Sequence, residues 1–273
     1  MHQNQLVKPE KRSNLRLKIG KWYFCQKRKF EHIKHPKKWA KNHATLFPWH
    51  PVFKHQSLIL RPLKDVDMYL QENKRTNLKL AIAHMDQVVI KPGELFSLWH
   101  LVGKPTKRKG YLEGLVLNQG KIDKGIGGGL CQLGNLLFWL FAHSPLLITE
   151  RHRHSFDVFP DVNRQVPFGA GATLSYNYLD FQVINPTEHS YQLHLWLDET
   201  YLHGELRCSE KPNASFSIEE QNHQIKHQLW GGYSRHNQLV QLEKRADGSI
   251  YRRIIAENHA LMCYNPFLES VKK

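Results

Sequence analysis

No two of the four cysteines, Cys25, Cys131, Cys208 and Cys263, stand in C-x-x-C spacing. That excludes a zinc ribbon and a thioredoxin-type redox motif. They are also too sparse to staple a disulfide scaffold. The opening Met1-His2-Gln3-Asn4-Gln5 has no apolar h-region, so nothing reads as a secretory signal. The longest apolar stretch, Leu136 to Ile148, is interrupted by His143 and Pro145 and falls short of the ~20 residues a membrane-crossing helix needs. These absences predict a cytoplasmic chain that touches a membrane only at its surface. There is no internal repeat and no low-complexity segment.

Acidic residues are scarce: 24 stand against 39 Lys and Arg in a chain of 273 residues, for a net charge of +15. The imbalance is local. Residues 1–41 hold thirteen of the bases and only Glu10 and Glu31 as acids, so +11 of the excess sits there. A basic segment of this kind suits an anionic partner such as lipid head groups, nucleic acid or wall polymer. Leu15, Ile19, Trp22, Tyr23, Phe30 and Ile33 fall roughly at helical spacing within it. Two readings follow: an interfacial helix on a membrane, or a solvated helix that packs its apolar side on the body. Nucleic acid is the weakest partner, because aromatic platforms and groove-reading motifs are not evident.

The 273 residues are enough for one large core or two modest ones. Residues 72–86 carry Leu78, Ile82 and Met85 on one helical side, and Phe47-Pro48-Trp49-His50-Pro51 marks a loop. Strands are expected at 88–90, 114–120, 148–158, 172–176, 179–184, 191–197 and 201–208. Ala246-Asp247-Gly248-Ser249 predicts a hairpin turn between two further strands. Helices cluster early and strands late, which is the order of an α+β fold. The chain divides on this reading into a basic segment 1–45, an α+β domain 46–209 and a β-rich extension 210–273.

The chemistry centres on Gly127-Gly128-Gly129-Leu130-Cys131, which opens onto Leu136-Leu137-Phe138-Trp139-Leu140-Phe141. Glycines allow a sharp turn with uncovered N–H groups. A helix starting there points its positive end at Cys131 and pushes the thiol toward thiolate. The apolar run predicts a helix buried nearly all round. Some twenty residues later, Glu150-Arg151-His152-Arg153-His154-Ser155 brings imidazoles. A cysteine at a helix start followed by histidine on a strand is the order used by papain-like and transglutaminase-like thiol enzymes. The expected fold is thus an antiparallel sheet packed on a buried helix that starts at the cysteine turn. The bland alternative makes the glycines a tight loop and Cys131 a small apolar residue.

Longer motifs add a resemblance. Pro92-Gly93-Glu94-Leu95-Phe96-Ser97, Val102-Gly103, Gly110-Tyr111, Gly127 to Gln132, Glu150 to Ser155, Gly169-Ala170-Gly171-Ala172-Thr173, and Tyr178-Leu179-Asp180-Phe181 followed by Asn185 stand in the order and spacing of the VanW family. The chain resembles that family over about residues 74–200, and Phe159-Pro160-Asp161 with Pro167-Phe168-Gly169 extends the likeness. One departure is Gly171, where many members carry Asp. The resemblance implies an accessory protein of glycopeptide (vancomycin) resistance and the cell wall. It implies no particular reaction.

As a thiol enzyme, the chain would use Cys131 as nucleophile and its backbone N–H, with the Gln132 side chain, as oxyanion donors. His152 and His154 would share a strand face, and His154 is the expected base because it sits in the family's His-Ser pair. Asp180 is the expected orienting carboxylate and Asp157 the alternative. Gly128, Gly129, Arg151 and His152 would line the substrate, a peptidoglycan peptide or its precursor. Glu150 and Arg151 have a simpler reading as a surface ion pair. A metal site from Cys131, His152 and His154 lacks an evident fourth ligand, and no cofactor is expected. The competing class is a non-catalytic protein that binds the cell wall or a membrane surface. A buried, inert Cys131 would favour it.

Overall fold

Cys131–Ala142 forms a helix, α4 below, whose Leu133, Leu136, Leu137, Phe138, Leu140 and Phe141 are all buried. Removing each such side chain from water is worth roughly 1.5–3 kcal/mol, so this helix anchors the core. The computed structural model describes residues 12–34, 38–60, 67–118, 120–158 and 166–266. Phe159-Pro160-Asp161, and residues 1–11 and 35–37 of the basic segment, lie outside them.

Among the described residues there are three further α-helices: α1 (Asn14–Lys34), α2 (Met68–Ile82) and α3 (Leu98–Val102). The largest sheet runs β1 (Asn42–His43), β3 (Val88–Ile90), β10 (Tyr191–Leu197), β11 (Tyr201–Cys208), β2 (His50–Leu58). It is antiparallel throughout, with Leu193 opposite Leu206 and Leu195 opposite Gly204. Leu193, Leu195, Leu202 and Leu206 are buried, and α4 packs against β11 and β2. A three-stranded antiparallel sheet joins β4 (Leu95–Ser97), β9 (Gln182–Ile184) and β7 (Leu147–Glu150). β5 (Glu113–Asn118) and β6 (Lys121–Ile126) form a hairpin against α2. The C-terminal sheet runs β12 (Ala214–His227), β13 (Tyr233–Arg245), β14 (Ile250–Met262), β8 (Phe156–Asp157), with β8 parallel to β14. The architecture is mixed α+β, with helix α4 buried against antiparallel strands.

Three expectations change. The strand expected over 148–158 stops at Glu150, and residues 151–154 are irregular before β8. A bulge between Ile148 and Glu150 opens the ladder there, and the backbone turns to other partners: Thr173 N–H donates to His152 C=O at 2.8 Å. The strand expected over 172–176 is reduced to a single bridge, Ser175 to Leu179. Finally, α1 does not pack its apolar side on the body. Leu15, Ile19, Trp22, Phe30 and Ile33 are all exposed, while Cys25, Arg28 and His32 turn inward. The hairpin over Asp247-Gly248 forms as expected, with Arg245 and Ser249 bonded at 3.0 Å.

Candidate functional site

The glycine turn is shaped by close backbone approach. A Cβ on Gly128 would lie 2.1 Å from the Gly114 carbonyl carbon, so the turn sits directly on β5. Gly129 has φ +91°, in the left-handed region, and its Cβ position is filled by Lys74. Asn77 of α2 locks this arrangement. Its Nδ2 donates to the carbonyls of Gly128 (2.9 Å) and Leu112 (3.0 Å), and its Oδ1 accepts from Leu112 N–H (2.9 Å). Gly128 and Gly129 are therefore accounted for by packing, without a substrate. Nothing in the sequence flagged Asn77: a single asparagine in a helix has no pattern.

Cys131 does stand in the first turn of α4. It is half-buried in crowded surroundings. Burial pushes its thiol above the ordinary value, and the Leu174 backbone and the Arg153 guanidinium offset this only in part. The expected push toward thiolate is thus reversed: loss of hydration outweighs the helix end and the nearby cation. Among the described residues, no hydrogen bond joins the sulfur to His152 or His154. Gln132 is not aimed at the cysteine either. Its Nε2 donates to Ser57 Oγ and Leu58 O, both at 2.9 Å, and ties α4 to β2.

The segment after β7 is divided between two flanks. Glu150 meets Arg28 of α1 in a two-pronged pair, Nη1–Oε2 2.8 Å and Nη2–Oε1 2.6 Å, so Arg151 is not its partner. Its Oε1 also accepts from Asp180 N–H at 2.9 Å and lies 3.2 Å from His152 Nε2. Burial alone would raise the Glu150 carboxyl, but His152, Arg28 and the Asp180 N–H outweigh it and bring it down to about 2. Arg151 donates to the carbonyls of Gly169 and Gly171 and, at 2.8 Å, to Asn258 Oδ1. These oxygens carry no formal charge, and burial followed by repulsion from Arg153 lowers Arg151 to about 10. His154 is pushed down to about 4 by burial and then by Arg153, so it is neutral at pH 7. Arg153 and Arg235 each lie over the Phe168 ring, at 5.2 and 4.5 Å.

Asp180 is buried and its oxygens are occupied. It accepts from Ser97 Oγ (2.5 Å), Trp99 N–H (3.1 Å) and Gln182 Nε2 (3.0 Å), with Arg28 3.9 Å away. These bonds splice α3 to β9. No histidine is among its hydrogen-bond partners. The alternative, Asp157, accepts from Tyr264 OH at 2.9 Å and lies 3.8 Å from Arg235. Arg153 therefore acts on both Cys131 and His154, while His152 lies with Glu150 and Arg28. Gly171, where the family pattern departs, is pressed by Asn135: a Cβ there would lie 2.1 Å from Asn135 Oδ1. Among the described residues, no group of three or more His, Cys, Asp or Glu side chains is placed to hold a metal ion. A depression of about 380 Å³ lies elsewhere, lined by His50, His143, Lys211 and Phe216 among others.

The sequence that builds this buried helix, its glycine-cysteine turn and the arginine-histidine segment falls within one protein family. The family described as VanW like protein matches residues 73–207. The chain is 36% identical over 206 residues to the vancomycin B-type resistance protein VanW of Enterococcus faecalis, covering 75% of this chain and 74% of that one. It is 32% identical over 114 residues to the uncharacterized protein YoaR of Bacillus subtilis, covering 42% of this chain and 36% of that one. No solved structure matches. The chain belongs to the VanW family.

Proposed function

We propose that this VanW-family protein is an accessory factor of glycopeptide (vancomycin) resistance that works by binding a wall peptide or its precursor, without thiol catalysis. The state of Cys131 carries this reading. Its thiol is pushed up by burial, and no imidazole hydrogen-bonds it. A nucleophile needs the thiolate and a base within reach. His154 is neutral at pH 7 and so has a proton-accepting nitrogen, but a pKa near 4 makes it a weak base. The link to resistance rests on the Enterococcus relative, whose name carries it.

The test pairs wild type with Cys131→Ser. Binding of soluble peptidoglycan fragments is followed by calorimetry, and iodoacetamide labelling is read by peptide mapping. The reading expects unchanged binding in the variant. It also expects Cys131 to label at least about tenfold more slowly than the exposed Cys263 near neutral pH. Fast labelling at Cys131, with turnover of the fragment that the serine variant loses, would establish the thiol enzyme instead.

A further inference from the structure

Helix α1 is fastened to the body by one face. Arg28 grips Glu150 and donates to Tyr178 O at 3.1 Å. Asn177 Nδ2 donates to Cys25 O at 3.0 Å, Phe24 lies against the Tyr178 ring, and His32 against Trp39. The opposite face is left bare. Leu15, Ile19, Trp22, Tyr23, Phe30 and Ile33 are 55 to 78% exposed. Placed at 3.6 residues per turn, these six share an arc of roughly 100°. Gln26 is the polar residue within it. Lys18 and Lys29 border one edge of the arc; Arg16, Lys27 and Lys34 border the other.

We infer that α1 lies in the interface of an anionic lipid bilayer, with this apolar arc in the acyl boundary and the bordering bases on the head groups. An apolar strip with basic margins is the pattern such a surface takes up. The same charge argues against a second copy of the chain: two such faces would bring ten like charges together around one contact. Helix α1 is not long and apolar enough to cross the bilayer, nor is any other described helix. The clamp on Glu150 gives the surface a fixed orientation relative to the body, which a free tail would lack. This inference stands whether or not the wall-peptide reading holds.

Co-sedimentation of the full chain with vesicles tests it. Phosphatidylglycerol mixed with phosphatidylcholine is compared with phosphatidylcholine alone. Binding is expected to the anionic vesicles and to weaken as salt is added. Ile19→Glu with Phe30→Glu should cut the affinity at least about tenfold, and Lys18→Gln or Lys29→Gln roughly fivefold each. All four positions are exposed, so unfolding profiles matching wild type are expected and are checked by circular dichroism. Equal binding by the double variant, or no binding to anionic vesicles at low salt, overturns the inference. So does a concentration-dependent dimer that the double variant dissolves, with no lipid binding; the face would then belong to a second copy.

Discussion

Replacing Glu150 by Gln isolates the ion pair that joins α1 to the segment beside Cys131. The carboxylate is brought from its ordinary 4.5 down to about 2, and its side chain is only 19% exposed, so solvent screening takes little from the interaction. A shift of that size corresponds to roughly 3 kcal/mol. Because the folded value is depressed, this stability is fully present above the unfolded value. It is lost as pH falls from about 5 toward 2. Glutamine keeps an oxygen for Arg28 and for the Asp180 N–H but not the charge, so part of the interaction survives. Asp180 modifies the picture. Burial raises it, and the Glu150 charge adds to the rise, so removing that charge lets Asp180 ionise more easily. The expected loss at pH 7 is therefore about 2 kcal/mol, below the roughly 3–5 kcal/mol that breaking a fully buried pair costs. Urea unfolding of both proteins from pH 7 to pH 2.5 measures it. The gap should be constant down to about pH 5 and close below it. A gap of the same size at pH 7 and pH 3 would refute the reasoning, since the difference would then not be the carboxylate's charge.

Three other outcomes follow from the fold and the site. Gly128→Ala should destabilise the fold by about 3 kcal/mol or more in denaturant unfolding, since its Cβ would meet the Gly114 backbone at 2.1 Å and the Asn77 bonds would break with the shift. Gly93→Ala, with open space around it but φ +72°, should cost only about 1 kcal/mol. His154, held at about 4, should show no titration of its ring signal between pH 5.5 and 8 by NMR; a midpoint near 6.5 would mean that burial and Arg153 do not act on it as described.

Regular patterns made the central fold legible. The alternation of Tyr191 to Leu197 and the all-round apolar run after Cys131 predicted β10 and α4, although β10 buries Gln192 along with its apolar residues. The long strand β12 was missed for the converse reason. Ala214–His227 keeps most of its side chains in solvent, so little apolar alternation marks it, and its order comes from pairing with β13. The position of Cys131 was readable and its chemistry was not. Its ionisation depends on burial first, and then on Leu174 and Arg153, which the fold brings in from later segments. Asp180 fitted the order of a triad, yet Ser97, Trp99 and Gln182 occupy it. Order along a chain constrains which elements come next, but not which atoms meet.

Charge shows the same division. The +11 of residues 1–41 was visible as a count, and the count suited an anionic partner. What the count could not supply was the direction of the helix. Contacts on one face decide it, the strongest being Arg28, taken inward by Glu150 more than a hundred positions away. Once Arg28 is fixed, helical geometry places Trp22, Ile19 and Phe30 on the far side. The apolar face is therefore outward because the polar anchor is inward. An apolar face normally turns to the core, where it gains about 25 cal/mol per Å² removed from water. Leaving it in solvent forgoes that gain in the isolated chain. A bilayer restores it without breaking the Arg28–Glu150 pair. Packing the same face on the body would require rotating the helix and stranding Glu150 without its cation. The ion pair thus selects the outward orientation, and that outward face is the one the proposed lipid surface would cover.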